Sequence, residues 1–356
     1  CLTGLYWFIE SLIRYSKNYS LIHSFFFWHL ICKCYRTMKK LKIIFTLCLL
    51  VFMYACSPSD EEIDNSPITI YDRIEASPNY SILNYALQKT GLSGVLDGTD
   101  VYTLFAPSDM VMSSFLNENG FSSVDDVPVE VLKNILLNHV VAEQLRYSSF
   151  KTGYKNTAAV SEANGKPLSI HIEQINMRVT INGESRITRG NIMASNGIIH
   201  VINKVIPLPS LVTFVKADQN LGGLFQALTR SDLTTDFVSI LSTAPSKSPA
   251  PFTVFAPTSQ AFTDLLAELG VQRLTSIDEP TLSSTLTYHV IAETNALSTD
   301  LSDNLQLNTL GGPVTANVTG GATITDGNNR VSKIVQVDIQ ANNGVIHLID
   351  KVILPN

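Results

Sequence analysis

The apolar positions of this chain follow first a helical and then a strand period, and the same order of patterns occurs twice. Tyr102 to Phe105 is a short aromatic and β-branched run that suits a buried strand, and Ala106-Pro107 stops it. Ser108 then stands where an N-cap oxygen would satisfy free amides, and Met112, Phe115 and Leu116 recur at helical spacing. Val129 to Asn138 keeps the helical period. Beyond it the period falls to two: Leu168 to Glu173 alternates, Asn182-Gly183 supplies a hairpin turn, and Asn196-Gly197 opens an apolar, β-branched stretch. From Phe252 the order returns, with a run stopped at Pro257, Thr258 as capping oxygen, and Phe262, Leu265 and Leu266 on a helix. Thr281 to Tyr288 is again helical, Asp326-Gly327 turns, Val331 to Ile339 alternates, and Asn343-Gly344 opens the last stretch. Helices first and strands later predict an α+β domain in which helices pack on a β-sandwich or wedge-shaped β core.

The two passes align residue by residue. Phe105, Pro107 and His139 are echoed 150 positions later by Phe255, Pro257 and His289, while Gly197 and His200 are echoed 147 positions later by Gly344 and His347. Three matching segments in one order make a duplicated domain. The expected boundaries are 66–208 and 209–356, joined at Pro207-Leu208-Pro209, where a short, proline-stiffened connection leaves the two units limited freedom.

The boxes Thr-x-Phe-Ala-Pro-Ser/Thr, Asn-His or Tyr-His, and Asn-Gly-x-Ile-His-x-Ile-x-Lys-Val, in this order and twice, resemble the fasciclin-like domain of cell-adhesion, extracellular-matrix and secreted bacterial proteins. The resemblance covers nearly all of 66–356. It implies two tandem fasciclin-like domains, a binding role, and a ligand-binding part for the Tyr-His box. That part carries over at most to Tyr288 and His289; in the first unit asparagine replaces tyrosine, and Asn138 and His139 at the same place are candidate ligand-binding residues without that match. The acidic residue that usually follows the proline box is Asp109 in the first unit but Ser259 in the second.

Upstream of the domains the pattern changes. Lys39, Lys40 and Lys42 precede an apolar run from Ile43 to Tyr54, too short to span a bilayer, so 38–55 reads as an export signal. It ends in Met53-Tyr54-Ala55-Cys56, which resembles a bacterial lipobox and implies lipidation of Cys56, with stable membrane anchoring through several acyl chains. Residues 56–65 form an acidic linker. This linker resembles the surface-export tag of Bacteroidetes-type outer-membrane lipoproteins, although a plain solvated spacer has the same look. Residues 1–37, which begin with Cys1 and not with methionine, read as upstream translation foreign to the product.

Composition then narrows the chemistry. With 45% apolar and 16% charged residues the chain has the make-up of a folded protein. From Cys56 onward it carries 18 basic and 30 acidic residues, net −12, which repels phosphate backbones and disfavours nucleic acid. All five cysteines lie at or before Cys56, so neither disulfides nor a thiolate nucleophile serve the domains. His139, His289, His200 and His347 sit in apolar surroundings; they are either metal ligands and bases, or buried histidines bonded to backbone or carboxylate. His171 and Glu173 share one face of a strand, which makes two potential ligands but no complete site. The Ser93 segment is not a nucleophile elbow, and Asp125-Asp126 has no context of a paired-carboxylate hydrolase.

The expectation is therefore a surface-anchored, non-catalytic adhesion lipoprotein without cofactor or metal, recognising a glycan, a matrix component or an envelope protein. An accessory role in an outer-membrane nutrient-uptake complex is the first alternative, and a carbohydrate-active enzyme the second.

Overall fold

The computed structural model describes residues 68–356; the expected upstream segment, export signal, lipidated Cys56 and acidic linker lie outside the described residues. The described residues form one compact unit. In its first half, helices α1 (Ile70–Glu75), α2 (Ser81–Lys89) and α3 (Ser93–Leu96) precede strand β1 (Tyr102–Pro107), followed by α4 (Asp109–Glu118) and α5 (Val129–Leu137). Six strands then complete the half: β2 (Val140–Val141), β3 (Gly153–Val160), β4 (Pro167–Ile175), β5 (Arg178–Ile181), β6 (Ser185–Ala194) and β7 (Gly197–Ile202). The second half repeats this order with α6 (Leu211–Ala217), α7 (Gly222–Leu228), α8 (Phe237–Leu241), β8 (Phe252–Pro257), α9 (Ser259–Glu268) and α10 (Glu279–Thr287). Its remaining strands are β9 (Val290–Ile291), β10 (Leu305–Thr309), β11 (Gly312–Asn317), β12 (Thr323–Thr325), β13 (Val331–Ala341) and β14 (Gly344–Ile349).

Each half builds one seven-stranded sheet, in the orders β2-β1-β7-β6-β5-β4-β3 and β10-β11-β12-β13-β14-β8-β9. The strand run of the proline box pairs in parallel with the closing strand, Tyr102 opposite Gly197 and Phe252 opposite Gly344, while the other pairs are antiparallel. Bulges interrupt β6 between Ile187 and Ile192, and β13 between Ile334 and Ile339. Such bulges add bend and twist, and the first sheet curls until its edge strands β2 and β3 lie beside each other. Of the two β cores the sequence left open, the wedge is the one adopted.

The curl creates two apolar cores in each half. Leu83, Leu87, Leu104, Leu132 and Ile199 pack helices onto one face of the first sheet, while Phe105, Ile170, Val179, Ile181 and Ile202 fill the inside of the curl. Strands β1 and β7 are therefore buried on both faces, which is why they read as continuous apolar runs. At the start of α9, Thr258 accepts a bond from Ala261 N, as its position predicts. Ser108 stands at the same place before α4 but makes no capping bond; the Asp109 carboxylate in the first turn supplies the favourable charge there.

The alternation of β4 misleads in one respect. Leu168 to Ile172 are all buried, because the face carrying Ser169 and His171 packs on the second half, where Gln340 N donates to Ser169 Oγ at 3.0 Å.

Candidate functional site

The repeated boxes hold the framework together, and their polar atoms are taken up by main chain. His139 is 2% exposed: its Nδ1 donates to Ile135 O at 2.8 Å, one helical turn back, and its Nε2 accepts from Ile206 N at 2.9 Å. His289 repeats both bonds, to Thr285 O and from Ile353 N. Burial pushes both imidazoles down to about 4, so they are neutral at physiological pH. His200 and His347 each donate from Nε2 to the loop after the His box, at Leu145 O and Ala296 O, and stack on Phe105 and Phe255. Asn138, fully buried, donates to Ile206 O and Pro207 O and accepts from Thr157 Oγ1. Tyr288 spends its hydroxyl on Pro313 O and Gly327 N. None of these six box residues offers a ligand a free polar atom.

Gly197 and Gly344 serve the parallel strand pair. A Cβ on Gly197 would stand 1.9 Å from Tyr102 O, and one on Gly344 2.3 Å from Phe252 O, so only glycine lets the two backbones meet. Pro107 and Pro257 end their strands inside the core.

Five further framework residues escaped the sequence reading. Thr103 and Thr253 are buried hydroxyls that bridge to the loop after the His box, each donating to a carbonyl and accepting an amide, that of Leu145 or Ala296. Asn196 and Asn343 bind the first helix of their own half through Ile70 N and Leu211 N. Their Asn-Gly pairs were read only as turns. Gln340 escaped as well, because its partners Ser161, Asn164, Ser169 and Asn295 lie far away in sequence and three belong to the other half.

The halves are joined by buried polar contacts. Tyr154 Oη donates to Asp218 Oδ2 at 2.9 Å, His171 Nε2 lies 3.9 Å from Asp218 Oδ1, and the Tyr154 ring meets Phe214 edge-on. Burial first and Asp218 second push the Tyr154 phenol up, and burial pushes His171 down. Asn342 accepts from Glu162 N and donates to Glu162 Oε1, and its own amide reaches Pro209 O. His171 and Glu173 diverge in role: Glu173 accepts from Gln219 Nε2 at the edge of the same interface. Among the described residues no group of three His, Cys, Asp or Glu side chains is placed to hold a metal ion.

Beside this joint lies an open cleft of about 590 Å³, walled by Glu143, Lys155 and Asn156 of the first half and by Gln336 and Asp338 on the bulged stretch of β13. Lys155 Nζ donates to both oxygens of Glu143 at 2.8 and 3.0 Å, and Asp338 accepts from Ser298 N at 2.7 Å. The side-chain amides of Asn156 and Gln336 make no bond to other described residues. The cleft thus presents unspent amides beside a charge pair, chemistry that binds a polar ligand by hydrogen bonds. No sequence window could reveal it, since its walls are some 180 residues apart.

Comparison with known proteins gives the framework its family. Residues 78–209 and 219–355 each match the Fasciclin domain family. The chain is 30% identical over 263 residues to Periostin of Homo sapiens, covering 73% of this chain and 29% of that protein. It is 25% identical over 316 residues to Transforming growth factor-beta-induced protein ig-h3 of Sus scrofa, covering 86% of this chain and 43% of that protein. The chain spans less than half the length of these curated relatives. A solved FAS1 domain pair from the insect cell adhesion molecule Fasciclin I aligns with a TM-score of 0.46 at 16% identity, over 80% of this chain and 95% of that one. With the matched regions spanning both passes of the repeat, the chain belongs to the fasciclin domain family, as a tandem of two of its domains.

Proposed function

We propose that this protein is a non-catalytic binding and adhesion module, tethered to the outer membrane through Cys56, that engages a glycan, a matrix component or an envelope protein at the cleft between its two domains. The cleft carries this reading. The box histidines are neutral, enclosed and satisfied, whereas Asn156 and Gln336 face each other's domain with unspent amides. Because Gln340, Asn342, Tyr154 and Asp218 fix the domains against each other, the cleft keeps its shape before a ligand arrives, which lowers the cost of binding. Family membership and the lipobox-like leader support the adhesive and envelope parts.

Two experiments test it. Protease shaving of intact cells, with Cys56→Ala as control, should remove the protein from wild-type cells and release the variant to the medium; protection until the outer membrane is broken would overturn surface display. The whole chain probed on glycan and matrix-protein arrays should capture a ligand, and silence on every array would remove the adhesive reading.

A further inference from the structure

A second groove lies on the helical side of the first domain and shares no residue with the cleft. It measures about 450 Å³ and runs between α2, α4 and the 3-10 turn Val124–Asp126, with Leu116 and Val124 in its wall. Tyr85 crosses it. The residue is 46% exposed, and its hydroxyl donates to Asp125 Oδ1 at 2.7 Å, the same oxygen that Lys89 Nζ holds at 2.7 Å. The ring is thereby fixed at both ends, by its backbone and by its hydroxyl, while much of its surface stays open. Around it stand Ser113, Asn117 and Ser122, whose side-chain polar atoms make no bond to other described residues.

The internal repeat supplies a control. Lys89 Nζ reaches Val124 O, and Arg230 Nη1 reaches Leu274 O, 150 residues further on, so the two grooves align on equivalent carbonyls. At the aligned positions Tyr85 becomes Gln226, Asp125 becomes Thr275, and Asn117 becomes Ala267. The framework is kept, and the aromatic platform with its fixing carboxylate and free amide exists in the first domain alone. Packing does not require this set, since the second domain folds the same way without it.

An anchored aromatic ring beside unspent hydroxyls and an amide suits a flat molecule with one C–H face and a rim of hydroxyls. The charge narrows it. Asp125 is in the wall, and behind it Asp109 and Asp126 bind the amides of wall residues, Ser81 and Ile82 for the first and Ser122 and Ser123 for the second. Lys89 pairs with one of these three carboxylates, Asp125, so the balance is negative and an anionic ligand is repelled.

We infer that the groove at Tyr85 is a binding subsite for a neutral pyranose unit of a glycan, stacked on the Tyr85 ring and hydrogen-bonded by Asn117, Ser113 and Ser122. The inference deepens the proposed binding role by giving a glycan its own subsite, independent of the cleft.

The test is titration of the whole chain with neutral gluco-, manno-, galacto- and N-acetylglucosamine oligomers, alongside polygalacturonate and sialylated oligomers. Neutral oligomers should bind and the anionic ones should not. Tyr85→Ala should weaken binding by about tenfold, Tyr85→Phe should retain most of it because the ring remains, and Asn117→Ala should cost several-fold. Thermal melting of each variant, unchanged because Tyr85 and Asn117 are exposed, verifies folding. Gln226→Ala, at the aligned position of the second domain, should leave neutral-sugar affinity unaltered. The subsite is overturned if no neutral oligomer binds, if Tyr85→Ala binds as well as wild type, or if anionic oligomers bind better. Sugar binding lost in Gln336→Arg, in the cleft, but kept in Tyr85→Ala would overturn it too, while leaving the cleft reading standing.

Discussion

The two domains of this chain share a framework and differ where the framework does not need them to agree. Both histidine boxes make the same pair of bonds, one to a carbonyl a helical turn back and one from the closing segment's amide. Directly before that histidine, Asn138 binds three main-chain or hydroxyl partners, while Tyr288 lies against Gly311 and Gly312 and sends its hydroxyl to Pro313 O. Two unlike side chains thus fill one position, because each neighbourhood has adapted to its own. The acidic residue after the proline box behaves alike: Asp109 binds the start of α2 through Ser81 and Ile82, and Ser259 keeps one such bond, to Gly223 N. A family signature therefore marks what holds the fold, and the differences between copies are the place to look for ligand chemistry.

The largest expected effect probes what the copies share. Gly197→Ala and Gly344→Ala should each destabilise their domain by about 4 kcal/mol or more, since the added carbon strikes main chain. Hydrogen exchange resolved by domain would show it, and a tolerated substitution in one copy would break the equivalence. Acid comes next. His139 and His289 titrate near 6.5 when unfolded and about 4 when folded, so below pH 6.5 the unfolded chain takes up protons that the folded one refuses. Stability should fall between pH 6.5 and 4 by about 1.4 kcal/mol per pH unit per histidine, and should stop falling from this cause below pH 4. His200, His347 and His171 are shifted the same way by burial and steepen the loss. Urea midpoints at pH 7, 5.5 and 4 measure it; midpoints independent of pH would mean the imidazoles are solvated.

Gln340→Ala removes the side chain that binds Ser161 and Asn164 across the joint while keeping the main-chain bond to Ser169, and about 2 kcal/mol of stability should go with it. The variant should also melt in two steps where the wild type melts in one; a single unchanged transition would show that the domains are not coupled there. The smallest effect separates the copies. Tyr288→Phe should cost about 1 kcal/mol through the lost bonds to Pro313 and Gly327, and only in the second domain.

Much of this was legible in the sequence, and the limit is physical. Periodicity located α4, α5, α9 and α10, and both proline-stopped strands, because each buries one stripe or one run against its own domain. The repeated boxes gave the tandem. Periodicity failed at β4, where the face of Ser169 and His171 is buried by residues some 170 positions away. It failed for the same reason at Gln340, at Asp218 and at the cleft, all of which depend on how two domains meet. Residues 1–67, with Cys56, lie outside the described structure, so anchoring rests on the lipobox pattern.

The most direct test of the central claim is the affinity of an array-captured ligand for the whole chain with Asn156→Arg and Gln336→Arg together. Both positions are solvent-facing and outside the cores, so folding should survive, which melting verifies. If the cleft is the principal binding surface, affinity for that ligand should fall by at least about a hundredfold, more than 2 kcal/mol. Unchanged affinity in a folded double variant would contradict the account and move the binding surface elsewhere on the tandem.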